Sequence, residues 1–203
     1  MSGEALYVAL EGAEGCGKST QAALLAGALG AVLTRETGGT DVGRRLRDIL
    51  HDVEVDDLDD HAEALITAAD RAQHIARVVR PALAAGRTVV SDRSVYSTLA
   101  YQGYGRQLDL AELRRINDWA IGGLWPGLVV LLDSPADVLA TRLHGRELDR
   151  FEREGEEFHD RVIDGYRTMA GADPDHWVVV AADGDRDKIA VRILEAVEER
   201  VRG

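Results

Sequence analysis

Short apolar segments alternate with longer amphipathic ones along most of the chain. The short segments are rich in aliphatic residues, apolar on both faces and bounded by glycine, proline or charged residues, as in the buried strands of parallel sheets. Five segments have this character: Leu6–Leu10, Ala31–Thr34, Thr88–Ser91, Leu128–Leu132 and Trp177–Ala181. Strands that alternate with helices predict an α/β fold in which right-handed crossovers connect parallel strands.

The amphipathic segments between the strands are predicted helices. In the clearest of them, Asp60–Leu83, apolar residues recur at helical spacing, and Arg186–Val201 is predicted to form a closing helix. The acidic stretch Glu54–Asp60 could be a metal-binding loop. We favour a solvated loop that caps the next helix, because carboxylates stabilise helix N-termini. The sequence has no repeat and no low-complexity linker, so residues 1–203 are predicted to form one domain.

The composition is that of an ordinary globular protein. Hydrophobic residues make up 45% of the 203 residues and charged residues 30%. A single cysteine, Cys16, excludes an internal disulfide framework and is compatible with a reducing compartment. No apolar run approaches the roughly 20 residues that span a bilayer, and the N-terminus lacks the basic region of a signal peptide. We therefore expect a cytoplasmic location.

The net charge is strongly negative. The sequence has 36 acidic and 24 basic residues, which gives a formal net charge of -12. Proteins that bind nucleic acid polymers or anionic membranes use a broad positive face, so we expect neither partner. Anionic small molecules are compatible with this charge, because a few focused arginines can dominate a pocket.

A glycine-rich segment directly follows the first predicted strand and opens a helical pattern. It matches the phosphate-binding pattern G-x-x-x-x-G-K-[ST] in the strand–loop–helix context that the motif requires. Glycines allow backbone N–H groups to turn towards phosphate oxygens, Lys18 is expected to reach the β- and γ-phosphates, and the Ser19 hydroxyl is expected to ligate Mg²⁺. The predicted binding segment for the nucleoside triphosphate comprises Gly12, Ala13, Glu14, Gly15, Cys16, Gly17, Lys18, Ser19 and Thr20.

The phosphate loop alone leaves the acceptor open, because GTPases, ATPases, nucleotide kinases and sulfotransferase-like proteins share it. Asp92 and Arg93 end the third predicted strand, at the edge where α/β sheets bind ligands. Asp92 is a candidate for holding Mg²⁺ or its water, and Arg93 for bridging the acceptor phosphate and the transferred group. The alternative is a surface ion pair. Arg35 follows the second strand in the same way, and Arg71 lies on the long predicted helix.

Four arginines near residue 150 suggest a lid. Arg142, Arg146, Arg150 and Arg153 would share one face if this segment were helical, and like charges on one face repel unless an anion collects them. We interpret residues 142–154 as a mobile lid that closes over the triphosphate and delivers arginines to the charge that develops during transfer. The alternative is an exposed helix whose arginines pair with neighbouring acidic residues.

Taken together, these residues resemble the thymidylate kinases over almost the full length of the chain. The combination is far more specific than the phosphate loop. The matching segments are Leu10–Thr20, Thr34–Thr40, Ala69–His74, Asp92-Arg93 with Ser97 and Ala100–Gly103, and Leu148–Glu152 with Phe158 and Tyr166. The resemblance implies a three-layer P-loop NTPase fold with a five-stranded parallel sheet, a homodimer, Mg-ATP as phosphoryl donor and dTMP as acceptor.

The resemblance also implies roles at matching positions. Arg35 and Arg93 would grip the acceptor phosphate, and Arg71 would address the pyrimidine edge. Tyr101 would lie under the deoxyribose and disfavour a 2′-hydroxyl, and Gln102 would approach the base. The residues implied to bind the substrate are Arg35, Thr67, Arg71, Arg93, Ser97, Tyr101 and Gln102.

For catalysis, the resemblance implies help from the lid, because the phosphate loop carries Glu14 and no extra arginine. The lid arginines, chiefly Arg146 and Arg150, would then assist transfer. The implied catalytic residues are Lys18, Arg93, Arg146, Arg150 and Glu14, and the implied metal-binding residues are Ser19 and Asp92.

Three departures from the family pattern fall on the acceptor side. Thr37 stands where the family usually has proline, Thr67 where a phenylalanine usually stacks on thymine, and Ser94 where an aromatic residue usually follows Asp-Arg. Loss of a stacking ring could cost about 1–3 kcal/mol of binding, and Tyr96 is a candidate for a substitute ring. Either the pocket is repacked around dTMP, or the acceptor is a different or modified pyrimidine deoxynucleotide. A homologue without kinase activity is a third alternative.

Two other classes of nucleotide-binding protein fit the sequence less well. A regulatory GTPase requires a guanine-reading Asn-Lys-x-Asp segment, but lysine occurs only at positions 18 and 188. A deoxynucleoside kinase acts on an acceptor without a phosphate, which leaves Arg35 and Arg93 without a shared purpose.

Overall fold

The computed structural model describes residues 5–143, 145 and 147–202, and it places a five-stranded parallel sheet at the centre of the molecule. The strands are β1 (Tyr7–Glu11), β2 (Val32–Arg35), β3 (Val89–Asp92), β4 (Leu128–Asp133) and β5 (Trp177–Ala181). Their spatial order is β2-β3-β1-β4-β5. The predicted α/β fold class is confirmed, and each predicted strand lies within one residue of the observed bounds.

Helices cover both faces of this sheet. They are α1 (Lys18–Leu29), α2 (Asp41–His51), α3 (Asp60–His74), α4 (Arg80–Ala84), α5 (Val95–Thr98), α6 (Leu110–Ile121), α7 (Ala136–Leu143), α8 (Glu156–Ala172) and α9 (Arg186–Arg202). Two π-helical segments, Ile75–Val79 and Leu99–Gly105, continue α3 and α5. In the part of the chain that the structure describes, no helix combines the length and apolarity needed to cross a membrane.

The helix predicted over Asp60–Leu83 is present but not uniform. It begins after Asp59, whose side-chain Oδ1 accepts hydrogen bonds from the backbone N–H groups of His61 (2.9 Å) and Ala62 (3.3 Å). The acidic stretch therefore caps the helix. Pro81 cannot donate a backbone hydrogen bond and its ring crowds the preceding turn, so regular α-helical bonding is not possible there. The wider π-helical turn ends at Val79, two residues before this proline.

The core consists of two apolar clusters, one on each face of the sheet. Successive strand residues point to opposite faces, so Val8 and Leu10 pack into the cluster that includes Ile193 of α9, whereas Tyr7 packs into the other cluster, with Tyr166 of α8. This arrangement gives the three layers that the resemblance implied.

The order of the strands brings the two candidate ligand-binding segments together. β1 lies at the centre, and its Leu10 pairs with Asp92 of β3. The carboxyl ends of these parallel strands therefore lie side by side, at the point where the strand order reverses and α/β proteins bind ligands.

Candidate active site

The phosphate loop between β1 and α1 depends on glycine geometry. Gly15 and Gly17 have φ angles of 79° and 96°, in the left-handed region that glycine tolerates best. Gly12 has a φ of 144°, and a Cβ there would lie 2.6 Å from the backbone oxygen of Leu132. The loop can approach β4 this closely only because position 12 has no side chain.

Lys18 begins α1 and points back into the phosphate loop. Its Nζ donates a hydrogen bond to the backbone oxygen of Ala13 at 2.7 Å, and it lies 3.7 Å from the Cys16 sulfur. The ammonium group and the positive N-terminus of α1 therefore face the same space, as expected for a phosphate site. Cys16 is buried in the apolar cluster on this face of the sheet, where it packs as a small apolar residue.

Ser19 and Asp92 meet at the predicted magnesium position. Ser19 Oγ donates to Asp92 Oδ2 at 2.5 Å, and both residues line the cavity. Among the described residues, no group of three or more histidine, cysteine or acidic side chains could form an all-protein metal cage. One hydroxyl and one carboxylate beside a phosphate-binding loop suit Mg²⁺, which commonly binds through few carboxylates together with substrate phosphates and water.

Arg93 connects the acceptor side of the cavity to the phosphate loop. Its φ is 71°, unusual for a residue with a Cβ, and its backbone is held by a 2.9 Å hydrogen bond from its N–H to the Leu10 oxygen. The guanidinium donates to Gly12 O (3.3 Å), Ser97 Oγ (3.1 Å), Tyr166 Oη (3.3 Å), Tyr101 Oη (3.1 Å) and Glu14 Oε1. So many contacts fix the direction of the guanidinium plane.

Glu14 is the carboxylate partner of this arginine. Burial acts to raise its pKa, but the positive charges of Arg93 and Lys18 outweigh burial and lower the pKa of Glu14 to about 2. Burial acts to lower the pKa of Arg93. The negative charge of Glu14 and the hydroxyl groups of Tyr101 and Tyr166 outweigh burial and hold this pKa well above its usual value. Both groups are therefore charged at neutral pH.

Glu11 was not assigned a role from the sequence. It supports Arg93 indirectly, through hydrogen bonds to residues that contact the guanidinium. Its carboxylate is fully buried at the end of β1. One oxygen accepts hydrogen bonds from the N–H and Oγ of Ser94, both at 2.7 Å, and the other accepts from Ser97 Oγ (2.7 Å) and Tyr166 Oη (2.8 Å). Because Ser97 and Tyr166 also contact Arg93, Glu11 orders two of its partners.

Three arginines converge on the acceptor side of the cavity. Arg35 at the end of β2 and Arg93 at the end of β3 were predicted, and Arg47 on α2 was not. Burial lowers the pKa of Arg47, and the nearby charges of Arg35 and Arg93 lower it further. On the sequence, Arg47 falls among exposed charged residues of α2, so only the fold reveals that it faces the same cavity.

A deeper part of the cavity is lined by Thr67 and Arg71 of α3 and by Gln102 of the second π-helical segment. Arg71 is buried and pairs with Glu36, its Nε lying 2.7 Å from Oε2. Further donors of the Arg71 guanidinium bond Thr98 Oγ1 (2.9 Å), Asn117 Oδ1 (2.5 Å) and Ser94 O (3.0 Å). The whole cavity has a volume of about 490 Å³, which is ample for small-molecule substrates.

A protein-family comparison agrees with this geometry. The model described as Thymidylate kinase matches residues 10–193, most of the chain. The chain belongs to the thymidylate kinase family. Two family members, from Synechococcus sp. (strain JA-2-3B'a(2-13)) and Solidesulfovibrio magneticus (strain ATCC 700980 / DSM 13731 / RS-1), are each 46% identical to it. The alignments cover 97% of this chain and 96% of the first protein, and 95% of this chain and 98% of the second.

A solved family structure shares the fold. The crystal structure of the thymidylate kinase from Ehrlichia chaffeensis matches with a TM-score of 0.79 and 29% sequence identity, covering 96% of this chain and 98% of that one. The resemblance to the thymidylate kinases and the predicted P-loop fold are thereby confirmed.

Within this thymidylate kinase family member, the three unusual acceptor-side residues have local partners. The Thr37 hydroxyl accepts a 3.4 Å hydrogen bond from Arg47 Nη1. Ser94 is buried and bonds Glu11 twice. Thr67 donates through Oγ1 to the backbone oxygen of Ala64 at 2.8 Å. Each substitution is thus accommodated without an unpaired polar group.

The suggestion that Tyr96 supplies a substitute ring to the pocket is wrong. Its ring packs in the core between Trp125 and Trp177, with centroid distances of 5.5 and 4.8 Å, and it does not line the cavity. The aromatic residues that do line it are Tyr101 and Phe151, whose rings meet edge to face at 5.8 Å.

The part of the segment that carries Arg150 and Arg153 is not helical, so the condition under which the four arginines would share one helical face is not met in the described residues. α7 ends at Leu143, and residues 147–155 form turns and irregular backbone before α8 begins at Glu156. Arg142 donates to Gly15 O and to Ala182 O, both at 3.2 Å, and therefore lies against the phosphate loop. Arg146 lies outside the described residues.

The segment 147–154 is held against α2 and α3. Arg150 donates to Leu50 O (2.9 Å) and pairs with Glu63 (2.5 Å), and the Asp149 carboxylate accepts a 2.7 Å hydrogen bond from His51 Nδ1. Arg150 does not line the cavity in this arrangement, so its predicted contact with the transferred phosphoryl group finds no support in this geometry. Its observed contacts anchor the segment.

Proposed function

We propose that the chain transfers the γ-phosphoryl group of ATP to dTMP, giving ADP and dTDP. The observation that carries this proposal is one cavity with a phosphate loop on one side and three arginines on the other. Arg93 and Arg71 pair with Glu14 and Glu36, whereas Arg35 and Arg47 line the cavity without an ion pair among the described residues, so their charges are available to an anion. An acceptor that already carries a phosphate accounts for them, and one with only a hydroxyl does not.

The donor side is assigned to residues 12–20. Backbone N–H groups of the loop and the Lys18 ammonium would bind the triphosphate, and Arg142 would cover it from α7. Ser19 and Asp92 would hold Mg²⁺, which neutralises phosphate charge when bound. These residues fit that ion by their chemistry and by their 2.5 Å contact.

Arg93 is the residue that we assign to both sides of the reaction. It lies between the acceptor arginines and the phosphate loop, with its guanidinium fixed by five partners. A preorganised cation there stabilises negative charge on the group in transit without reorganising. Catalysis then results from positioning and charge neutralisation in an in-line transfer, with no covalent intermediate.

The deeper part of the cavity is assigned to the pyrimidine and the deoxyribose. Four of the five Arg71 donors are occupied by protein groups, and the fifth, on Nη2, makes no hydrogen bond within the described residues. It is therefore free to donate to a base carbonyl. Tyr101 is fixed against Arg93 and would lie under the sugar, where a 2′-hydroxyl would be disfavoured.

We also propose a cytoplasmic homodimer. Support for a dimer comes from exposed apolar side chains on three neighbouring helices: Val42 and Ile49 on α2, Leu65 on α3 and Trp119 on α6. Exposed apolar residues grouped on adjoining elements are typical of protein–protein contacts. Light scattering of the purified chain tests this assignment directly.

The experiment that tests the function is an ATP-consumption assay with Mg²⁺ across dTMP, dUMP, 5-hydroxymethyl-dUMP, dCMP, dGMP and UMP. We expect strong preference for dTMP. Weak dTMP turnover with 5-hydroxymethyl-dUMP active would show instead that Thr67 and its neighbours accept a modified pyrimidine. Absence of ATP consumption with all six acceptors would contradict the proposed kinase activity.

A further inference from the structure

Glu63 is a fully buried carboxylate that links the base-binding end of the cavity to the segment 147–154. It lies in the first turn of α3 and is 0% exposed. Its Oε1 accepts a 2.7 Å hydrogen bond from Gln102 Nε2, and its Oε2 accepts from Arg106 (3.1 Å) and Arg150 (2.5 Å). Two guanidinium groups and one amide therefore donate to the same carboxylate.

This contact decides which way the Gln102 amide points. A carboxylate that faces two guanidinium groups offers only acceptor oxygens, so Gln102 has to present its NH₂ group to Glu63. The amide oxygen then faces away from Glu63. It accepts no hydrogen bond within the described residues, and it is not among the buried polar atoms left without a partner, which are Gln21 Oε1 and Asp70 Oδ2. Gln102 is 2% exposed and lines the cavity, so its carbonyl oxygen is the amide atom left to face the cavity.

We propose that Glu63 is a positioning residue that sets base specificity through Gln102. A fixed carbonyl accepts a hydrogen bond from the imide N3–H of thymine or uracil, whereas the N3 of cytosine is itself an acceptor and would face it lone pair to lone pair. The free N–H of Arg71 favours the same bases. It can donate to the carbonyl at position 4 of thymine or uracil, whereas the amine at position 4 of cytosine is also a donor. The inference rests on the proposed function, because it concerns the same acceptor site.

The geometry explains why a buried charge occupies this position. A neutral side chain such as glutamine could donate to or accept from Gln102, and the Gln102 amide would then be able to flip. Sites that read a hydrogen-bond pattern discriminate strongly only when the wrong ligand leaves a buried group unpaired. A carboxylate makes one orientation obligatory.

The test compares kcat/KM for dTMP and dCMP in wild type and in Glu63→Gln. We expect the dTMP:dCMP ratio to fall by about tenfold or more in the variant, mainly through a higher KM for dTMP, since base recognition is lost in both ground state and transition state. In a Gln102→Met background, Glu63→Gln should leave the ratio unchanged within about twofold. A ratio preserved in folded Glu63→Gln would overturn the inference.

Arg150→Gln is the matched control for the other ligand of Glu63. It removes the link to segment 147–154 and leaves the Glu63–Gln102 contact in place. It should lower kcat for both acceptors by a similar factor and keep their ratio. If the ratio fell as far in this control as in Glu63→Gln, the effect would be structural and the inference would fail.

A measurement on the wild-type enzyme covers the case in which Glu63→Gln does not fold. The N3-methyl analogue of dTMP replaces the imide N–H with N–CH₃ and keeps both carbonyl oxygens, so it should be a poorer acceptor by about tenfold or more. Equal turnover of dTMP and this analogue would overturn the inference alone. Absence of any dTMP turnover would instead overturn the proposed function on which the inference rests.

Discussion

Glu14 of the phosphate loop is ion-paired with Arg93 at the end of β3. The donor side and the acceptor side of the cavity therefore share one pair of charges. Tyr101 Oη contacts both members, at 3.3 Å from Glu14 Oε1 and 3.1 Å from Arg93 Nη2. A change at either residue should consequently affect both substrates.

Glu14→Gln should change how stability depends on pH. Burial acts to raise the pKa of Glu14, but the charges of Arg93 and Lys18 outweigh it. The pKa therefore falls from its usual 4.5 to about 2. A depressed carboxyl pKa stabilises the fold above about pH 4.5, and this stabilisation is lost as the pH falls towards 2. Allowing for partial solvent screening, we expect it to be about 2–3 kcal/mol. Urea unfolding at several pH values from 7 to 3.5 should show that the free energies of unfolding of wild type and Glu14→Gln converge as the pH falls. A difference that stays constant with pH would contradict the lowered pKa of Glu14.

Arg93→Ala should abolish most turnover while leaving the fold intact. An arginine that stabilises charge in phosphoryl transfer is worth roughly 10³-fold or more in kcat. Arg93→Lys keeps the charge but not the forked donors, and it should recover only part of the loss. Steady-state kinetics for both substrates, with thermal unfolding as a check on folding, provide the measurement. Near-normal turnover by Arg93→Ala would contradict the assignment of Arg93 to the acceptor-phosphate site.

Arg47→Ala should raise the KM for dTMP by about tenfold and leave the KM for ATP nearly unchanged, because one charge-assisted contact to the acceptor phosphate is worth about 1.5–3 kcal/mol. The matched control is Arg45→Ala, an exposed arginine on the same helix that does not line the cavity. The control should behave as wild type. Equal effects of the two variants would mean that only the general charge of α2 matters.

Asp92→Asn should increase the Mg²⁺ concentration needed for half-maximal rate by about 10–100-fold, because the carboxylate beside Ser19 is replaced by a neutral amide. Asp133→Asn is a suitable control: Asp133 ends β4, which β1 separates from β3, and it pairs with Arg167, away from Ser19. A magnesium titration of both variants distinguishes a metal ligand from a strand-end carboxylate of structural importance. Unchanged magnesium dependence in Asp92→Asn would contradict its assignment.

The strands and the phosphate loop could be predicted because their signals are local. Leu128–Leu132 is apolar on both faces, and Gly12–Ser19 matches a motif whose spacing is set by the phosphates that it binds. Such patterns depend little on the rest of the chain, and the structure places each of these segments within one residue of its predicted position.

Residues whose importance depends on distant contacts could not be found in this way. Arg47 is indistinguishable on the sequence from exposed Arg45, and only the packing of α2 beside the cavity separates them. Tyr96 is a candidate for a substitute ring on the sequence, but two tryptophans far along the chain, Trp125 and Trp177, pack against it in the core. Arg142 and Arg150 are eight residues apart in the sequence, yet α7 stops at Leu143, and Arg142 contacts the phosphate loop whereas Arg150 contacts Leu50 and Glu63.

Arg150→Ala should release segment 147–154 and lower kcat by about tenfold with a smaller effect on ATP affinity. The reason is that Arg150 holds this segment to Leu50 and Glu63, while Asp149 and Phe151 on either side line the cavity, and closure that excludes water contributes to transfer. Hydrogen exchange of the amides in 147–154 should accelerate in the variant, and single-turnover kinetics should show the loss in the chemical step.

The control for this experiment is Arg153→Ala, whose side chain is exposed and bonds the backbone of Leu148 within the same segment. It changes the charge of the segment without releasing it, so both its exchange rates and its kcat should stay close to wild type. If Arg150→Ala weakened ATP binding more than it lowered kcat, Arg150 would be a docking residue for the nucleotide. Its contacts with Leu50 and Glu63 would then describe a resting position of the lid.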